Sequence, residues 1–181
     1  MAIYFCFYRR ILEIASTVKS TFEPVIQTNL YPRSQIDIFV QVLQQDGGLL
    51  QACINGTTLA LTNAGIPLLD FVCAVTGGVC SKWPVLDLTM LEENDIPNVT
   101  IATMPKTEKV TLVTMETRLH VDRFGEIARL ACDAAKVIHR EMKLAVQSRM
   151  TKLVTVMTAG PRSSAGGDSA DKDDEDRTNE Y

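Results

Sequence analysis

The chain is short of the residues that usually announce chemistry. Only two of its 181 residues are histidines, His120 and His139, and both stand outside any cluster of cysteine or histidine, so no zinc-type ligand spacing exists. The five cysteines, Cys6, Cys53, Cys73, Cys80 and Cys132, are odd in number and contain no CxxC pair. They read as buried thiols of a reducing compartment and not as a disulfide framework. No stretch approaches the roughly 20 apolar residues that a membrane helix needs. Met1 to Tyr8 is apolar, but Arg9 and Arg10 follow it instead of preceding it, the wrong order for a secretory signal. The sequons at Asn55 and Asn98 are accordingly expected to be chance matches in an intracellular protein. Aromatic residues make up only 6%, yet Tyr4, Phe5, Phe7 and Tyr8 crowd into one end. An exposed patch of that kind favours association.

A basic field is also missing. From residue 168 onward seven acidic side chains face Lys172 and Arg177, a net of minus five, which leaves the first 167 residues at plus one when the whole chain carries minus four. Affinity for nucleic acid would therefore have to come from partners. The Gly-, Ser- and acid-rich tail, residues 158–181, is expected to be disordered. With 46% hydrophobic and 22% charged residues, the remainder suffices for one globular domain.

The stretch Tyr31 to Pro67, YPRSQIDIFVQVLQQDGGLLQACINGTTLALTNAGIP, organises that domain. Ile36, Ile38, Val40 and Val42 alternate with polar Gln35, Asp37 and Gln41, the period of a half-buried strand, with Phe39 as the exception. After Asp46-Gly47-Gly48 the period changes. Leu49, Ala52, Cys53, Gly56, Leu59, Ala60 and Asn63 fall by threes and fours and predict one helical face over Leu49 to Ala64, closed by Gly65 and stopped by Pro67. A turn of this kind is either an anion site made of unpaired helix amides or a tight connection in which the glycines only relieve sterics.

Arg33 stands four residues before Asp37, which suits a structural ion pair or subunit contact, and no chemistry is assigned to it. Past Gly65, residues 70–76 predict a buried strand broken by Gly77-Gly78, and Trp83-Pro84 predicts a turn. Val85 to Leu88, Asn98 to Met104 and Val110 to Glu116 predict further strands of a β meander. Val121 to Met157 predicts a long amphipathic helix packed across the sheet, with Met142, Met150 and Met157 as core filler.

The strings Pro32-Arg33-Ser34-Gln35-Ile36-Asp37 and Leu43-Gln44-Gln45-Asp46-Gly47-Gly48, followed by ACINGTTLALTNAGIP and by VLDL with an acidic cluster, resemble the RNase PH-family ring subunits of the RNA exosome. The likeness runs from about Phe22 to Met157. It implies an α+β fold, the later half of an RNase PH-like domain, with a mixed or antiparallel sheet covered by helices and a long C-terminal helix. About half of the family's domain precedes the point where the likeness begins. Residues 1–20 thus read as an atypical segment from a truncated or mis-started gene model, residues 21–157 as an incomplete RNase PH-like domain.

By the same resemblance, active members degrade RNA from its 3′ end with inorganic phosphate as the attacking group. A hydroxyl residue and an arginine directly after the Asp-Gly-Gly turn bind that phosphate. Here Leu49 and Leu50 replace them beside Gly47 and Gly48, and a leucine offers neither donor nor charge. Asp87 matches the catalytic aspartate, and Glu93 stands where a second acidic residue does, a pair able to hold Mg²⁺ or to donate a proton. The other reading is that Asp87 ends a strand and Glu92, Glu93 and Asp95 form a solvated acidic turn. The expectation is a non-catalytic structural subunit of the exosome's hexameric ring, paired with other RNase PH-like chains, touching RNA through the assembled complex and no membrane. It would support processing of ribosomal and messenger RNA in nucleus, nucleolus and cytoplasm, with Mg²⁺ and phosphate as cofactors only if active. The alternatives are a phosphate-dependent exoribonuclease using Asp87, and a truncated fragment that binds a protein partner through an unpaired sheet edge.

Overall fold

The computed structural model describes residues 2–81 and 83–158, with side chains from residue 9 onward. The aromatic cluster at Tyr4 to Tyr8 and the tail from residue 159 lie outside these described side chains. Helix α1 (Ala2–Phe22) leads through a 3₁₀ turn (Thr28–Leu30) and an irregular stretch into α2 (Leu49–Asn63). Strands β1 (Cys73–Cys80) and β2 (Trp83–Leu86) follow, then the short α3 (Met90–Asp95), β3 (Asn98–Met104), β4 (Lys109–Met115) and the long α4 (Val121–Thr158). The strands form one antiparallel sheet in the order β2-β1-β3-β4. It is not a simple meander, because β3 returns past β2 to pair with the other side of β1.

The sheet is the middle of three layers. Ala74, Ala102 and Met104 face α1 and α2, where Val18, Phe22, Val25, Ile54 and Leu61 close one core. Cys73, Val75, Val99 and Ile101 face α4 and pack on Ile127, Ala131, Ala135 and Met142. Burial on both faces explains why β1 reads as an unbroken apolar run instead of an alternation. It also explains why Gly77-Gly78 does not break it. A Cβ on Gly77 would stand 2.9 Å from Ile127 Cγ2, and one on Gly78 would stand 2.8 Å from Leu88 Cδ1, so the glycines admit α4 and the 87–90 loop against the strand. The turn expected at Trp83-Pro84 lies earlier, at Ser81 with φ 58°, and Pro84 sits on the edge strand, where no ladder donor is required.

Helix α2 ends as its sequence indicates. Gly65 (φ 75°) donates to the Thr62 carbonyl and Ile66 to the Leu61 carbonyl, a Schellman pair whose apolar partners Ile66 and Leu61 meet in the core. Its buried face differs from the expected one. Cys53, Ile54, Thr57, Thr58 and Leu61 turn inward, while Ala52, Gly56, Ala60 and Asn63 are exposed. Threonine can line a core when its hydroxyl is satisfied, and Thr58 Oγ1 lies 2.8 Å from the Val72 carbonyl and 3.1 Å from that of Ile54.

The largest correction concerns the segment expected as the organising strand. Residues 35–42 form no strand, and among the described residues 35–45 make no backbone hydrogen bond. A strand needs a neighbour to complete its ladder, and no described strand runs beside this one. Ile36, Ile38, Val40 and Val42 line a cavity of about 780 Å³ against Ile11, Ile14 and Val18 of α1, and Gln35 and Asp37 line it with them. Arg33 makes no ion pair with Asp37, whose carboxylate accepts from Gln35 at 2.7 Å. Helix α4 packs on the sheet only as far as Met142. Met150 and Met157, expected as core filler, are 54% and 79% exposed.

Buried Asp70 ties the layers together. Its Oδ1 accepts from the Phe71 amide at 2.8 Å, and its Oδ2 accepts from the amides of Lys106 at 2.9 Å and Thr107 at 3.2 Å, joining the entry of β1 to the β3–β4 turn. Asp70→Ala leaves these donors without their acceptor. It is expected to lower unfolding stability by about 3 kcal/mol, read from urea titrations followed by circular dichroism. A loss within the scatter of surface substitutions contradicts this anchoring role.

Candidate functional site

Two loops meet at the start of α2. The Asp46-Gly47-Gly48 turn holds both glycines in the left-handed region, at φ 85° and 56°, and a Cβ on Gly47 would run into the Leu88 carbonyl oxygen. Glycine is needed here for close approach as much as for φ. Gly48 is the N-cap and supplies no side chain, so capping by a hydroxyl or carboxylate is absent at this helix start.

From the first turn of α2, Gln51 reaches across to the sheet. Its Oε1 accepts from the Thr76 amide at 2.6 Å and its Nε2 donates to Asp87 Oδ1 at 2.7 Å. The Asp87 amide in turn donates to the Thr76 carbonyl at 2.9 Å. Asp87 directly follows β2 and adopts φ 61°, a conformation that aspartate tolerates better than most residues. The bond from Gln51 occupies one carboxylate oxygen and fixes the side chain toward α2.

Glu93 lines a pocket of about 260 Å³ with Leu49, Leu50, Thr100 and Glu116 beneath α1. That pocket also holds Glu13 and a single cation, Arg10. Three carboxylates against one guanidinium make a poor field for a phosphate. Leu49 and Leu50 themselves pack against the core shared by α1 and α2. Thus Gln51 ties the start of α2, beside Gly47 and Gly48, to Asp87, while Glu93 lines a pocket with Leu49 and Leu50. Among the described residues no group of three or more His, Cys, Asp or Glu is placed to hold a metal ion.

The acidic cluster after Asp87 is a helix start. Thr89 and Glu92 form a capping box: Glu92 Oε2 accepts from the Thr89 amide at 2.9 Å, and Thr89 Oγ1 accepts from the Glu92 amide. The backbone bond from Thr89, with its hydroxyl second, holds the Glu92 carboxyl below the usual carboxylate range. Neither Cys53 nor Cys73 suits thiolate chemistry. Burial raises both thiols, and burial together with the nearby Asp70 carboxylate pushes Cys73 up to about 12. Sequence reasoning missed Gln51 and Thr76. A long polar side chain standing alone among Leu49, Leu50 and Ala52 was the available signal for Gln51, as Thr-x-x-Glu was for the capping box.

The three layers with a long C-terminal helix, and a glycine turn facing an aspartate loop, define an α+β domain of RNase PH-like fold. Residues 8–67 match domain 1 and residues 70–134 match domain 2 of the 3′ exoribonuclease family, and the chain belongs to that family. It is 42% identical over 139 residues to the exosome complex component ski6 of Schizosaccharomyces pombe, a match that takes in 77% of this chain and 57% of that protein. To the exosome complex component RRP41 of Mus musculus it is 41% identical over 143 residues, 78% of this chain and 58% of that one. The chain thus spans a little over half the length of these relatives. The solved structure of rice (Oryza sativa) Rrp46 shares its fold, with a TM-score of 0.67 at 23% identity over 75% of this chain and 65% of that chain.

Two measurements check the geometry. Gln51→Ala removes both bridging bonds and is expected to cost about 1–2 kcal/mol in unfolding stability. A neutral result contradicts the bridge. In the native protein, a maleimide at neutral pH is expected to modify exposed Cys80 while sparing Cys53 and Cys73 until denaturant is added; equal labelling of Cys73 before unfolding contradicts its burial.

Proposed function

We propose that the chain is a non-catalytic ring subunit of the RNA exosome, assembled with other RNase PH-like chains and supporting 3′-to-5′ RNA processing and degradation. One observation carries the inactive part of this reading. Where active relatives place a hydroxyl and an arginine for phosphate, Leu49 and Leu50 face the core and a pocket rich in carboxylates. The retained aspartate at position 87 is exposed and has one carboxylate oxygen bonded to Gln51. Similarity to exosome components named ski6 and RRP41 supports the ring assignment. RNA contact, from ribosomal precursors to messenger RNA, then depends on the assembled complex, in nucleus, nucleolus and cytoplasm. Phosphate and Mg²⁺ play no catalytic part on this subunit.

A tagged 181-residue chain recovered from its own cells is expected to bring the other ring subunits with it in stoichiometric amount, read by mass spectrometry. Recovery of none of them sinks the ring assignment and favours a fragment that binds elsewhere. Incubated with a 3′-labelled RNA and inorganic phosphate, the purified chain is expected to release no nucleoside diphosphates. Phosphate-dependent release that disappears in Asp87→Ala overturns the inactive reading in favour of an exoribonuclease using that carboxylate.

A further inference from the structure

Asn55-Gly56 is the one Asn-Gly pair in the sequence, and it falls inside α2. Asn55 Nδ2 donates to the Ala74 carbonyl at 3.0 Å and its Oδ1 accepts from the Ala74 amide at 2.8 Å, on a stretch of β1 that β2 does not reach. Ala74 is fully buried, so no water stands ready to replace either bond. Gly56 is the opposite case. It is exposed, its φ is not positive, and a Cβ built on it would meet nothing within 4 Å, so neither packing nor backbone conformation asks for glycine in this helix. The sequon that begins at Asn55 is closed in the folded chain, since the carboxamide is taken by β1 and Thr57 is 2% exposed.

We propose that Asn55 is a deamidation site which the native fold holds latent, which unfolding releases, and whose product cannot rebuild the bridge between α2 and β1. In the reaction the deprotonated backbone nitrogen of Gly56 attacks Asn55 Cγ, the bond from Cγ to the side-chain nitrogen breaks, and ammonia leaves as a five-membered succinimide closes. Water then opens the ring at either carbonyl to give aspartate or isoaspartate. One water is consumed, one ammonia is released, and nothing is oxidised or reduced. A following glycine favours the attack because no Cβ obstructs the approaching nitrogen. Inside α2 both reacting groups are committed: the Gly56 amide donates to the carbonyl four residues back, and both polar atoms of the Asn55 carboxamide are bonded to Ala74. Exposure of Gly56 means that water and hydroxide are not kept away, so the guard is geometry.

The product fails for a reason visible at Ala74. An ionised carboxylate only accepts hydrogen bonds, so one oxygen still takes the Ala74 amide while the other is set against the Ala74 carbonyl, which loses its donor in a buried place. Isoaspartate adds a carbon to the main chain in the middle of α2 and breaks its ladder. Asp46-Gly47 closes the same kind of ring, but it loses water and regains it with no change in mass. A gain in mass therefore singles out an asparagine, and every other asparagine in the chain precedes a residue with a side chain. The site is independent of the ring reading, since it uses neither Asp87 nor the start of α2.

The full 181-residue chain is incubated in mildly alkaline buffer with and without guanidinium chloride, and replacement of the Asn55 amide by a hydroxyl is followed by fragmentation mass spectrometry. Conversion is expected in denaturant and to be roughly tenfold or more slower in the native chain, because the fraction of open molecules sets the native rate. Samples diluted from denaturant at intervals are expected to recover less native circular dichroism as conversion proceeds. Gly56→Ala should fold, convert far more slowly in denaturant and keep its recovery, whereas Asn55→Asp should unfold at lower denaturant than wild type. Native conversion within tenfold of the denatured rate overturns the guard. Wild-type conversion no faster than that of Gly56→Ala overturns the site, and an Asn55→Asp midpoint equal to that of wild type overturns the claim that the product cannot return.

Discussion

Everything in this domain leans on β1 being satisfied on all sides. From Cys73 to Thr76 it is buried on both faces, with β3 completing one edge of its backbone and helices covering it above and below. A strand so placed tolerates no unpaired polar group. At Thr76 this demand becomes specific: its carbonyl accepts from the Asp87 amide, its amide is taken by Gln51, and its hydroxyl lies 3.0 Å from that of Thr100 on β3. Asn55 makes the same kind of bridge one turn further along α2, donating to the Ala74 carbonyl at 3.0 Å and accepting from its amide at 2.8 Å. Two amide side chains on one helix thus take over ladder bonds that no strand supplies.

This requirement shapes the candidate site. The side chain that reaches Asp87 is the same one that completes β1, so the orientation of the aspartate is a by-product of satisfying the central strand. The glycines act in the same direction. Gly47 lets the α2 turn lie against the Leu88 backbone, and Gly77 and Gly78 let α4 and the following loop press on β1. Removing any of these small contacts would push apart the loops whose meeting defines the site.

Much of the architecture was legible in the sequence, and the parts that were not share a cause. The bounds of α2, β3 and α4 follow from local periodicity and from Gly65, signals that need no knowledge of neighbours. The extent of β1 through Gly77-Gly78 was hidden, because a glycine pair breaks an exposed strand but serves a strand on which a helix must press. The inward face of α2 was hidden because Thr57 and Thr58 count as polar until the Val72 carbonyl is seen beside one of them. In the site, Gly47, Gly48 and Asp87 were visible through family resemblance, whereas Gln51 was not, since its role depends on a strand 25 residues away.

The segment at 35–42 separates two kinds of information that usually travel together. Alternation predicts which side chains turn toward apolar surface, and Ile36, Ile38, Val40 and Val42 do line the cavity against α1, though Gln35 and Asp37 line it too. Strand formation further requires a partner with matching donors and acceptors, which alternation cannot supply. The same separation applies to function. The Asp-Gly-Gly turn keeps the geometry of an anion-receiving helix start, because that geometry is enforced by the close approach to Leu88 and by β1. At Leu49 and Leu50, directly after that turn, the side chains pack against the core shared by α1 and α2. Backbone shape therefore follows from packing, which the close approach of Gly47 to Leu88 shows directly.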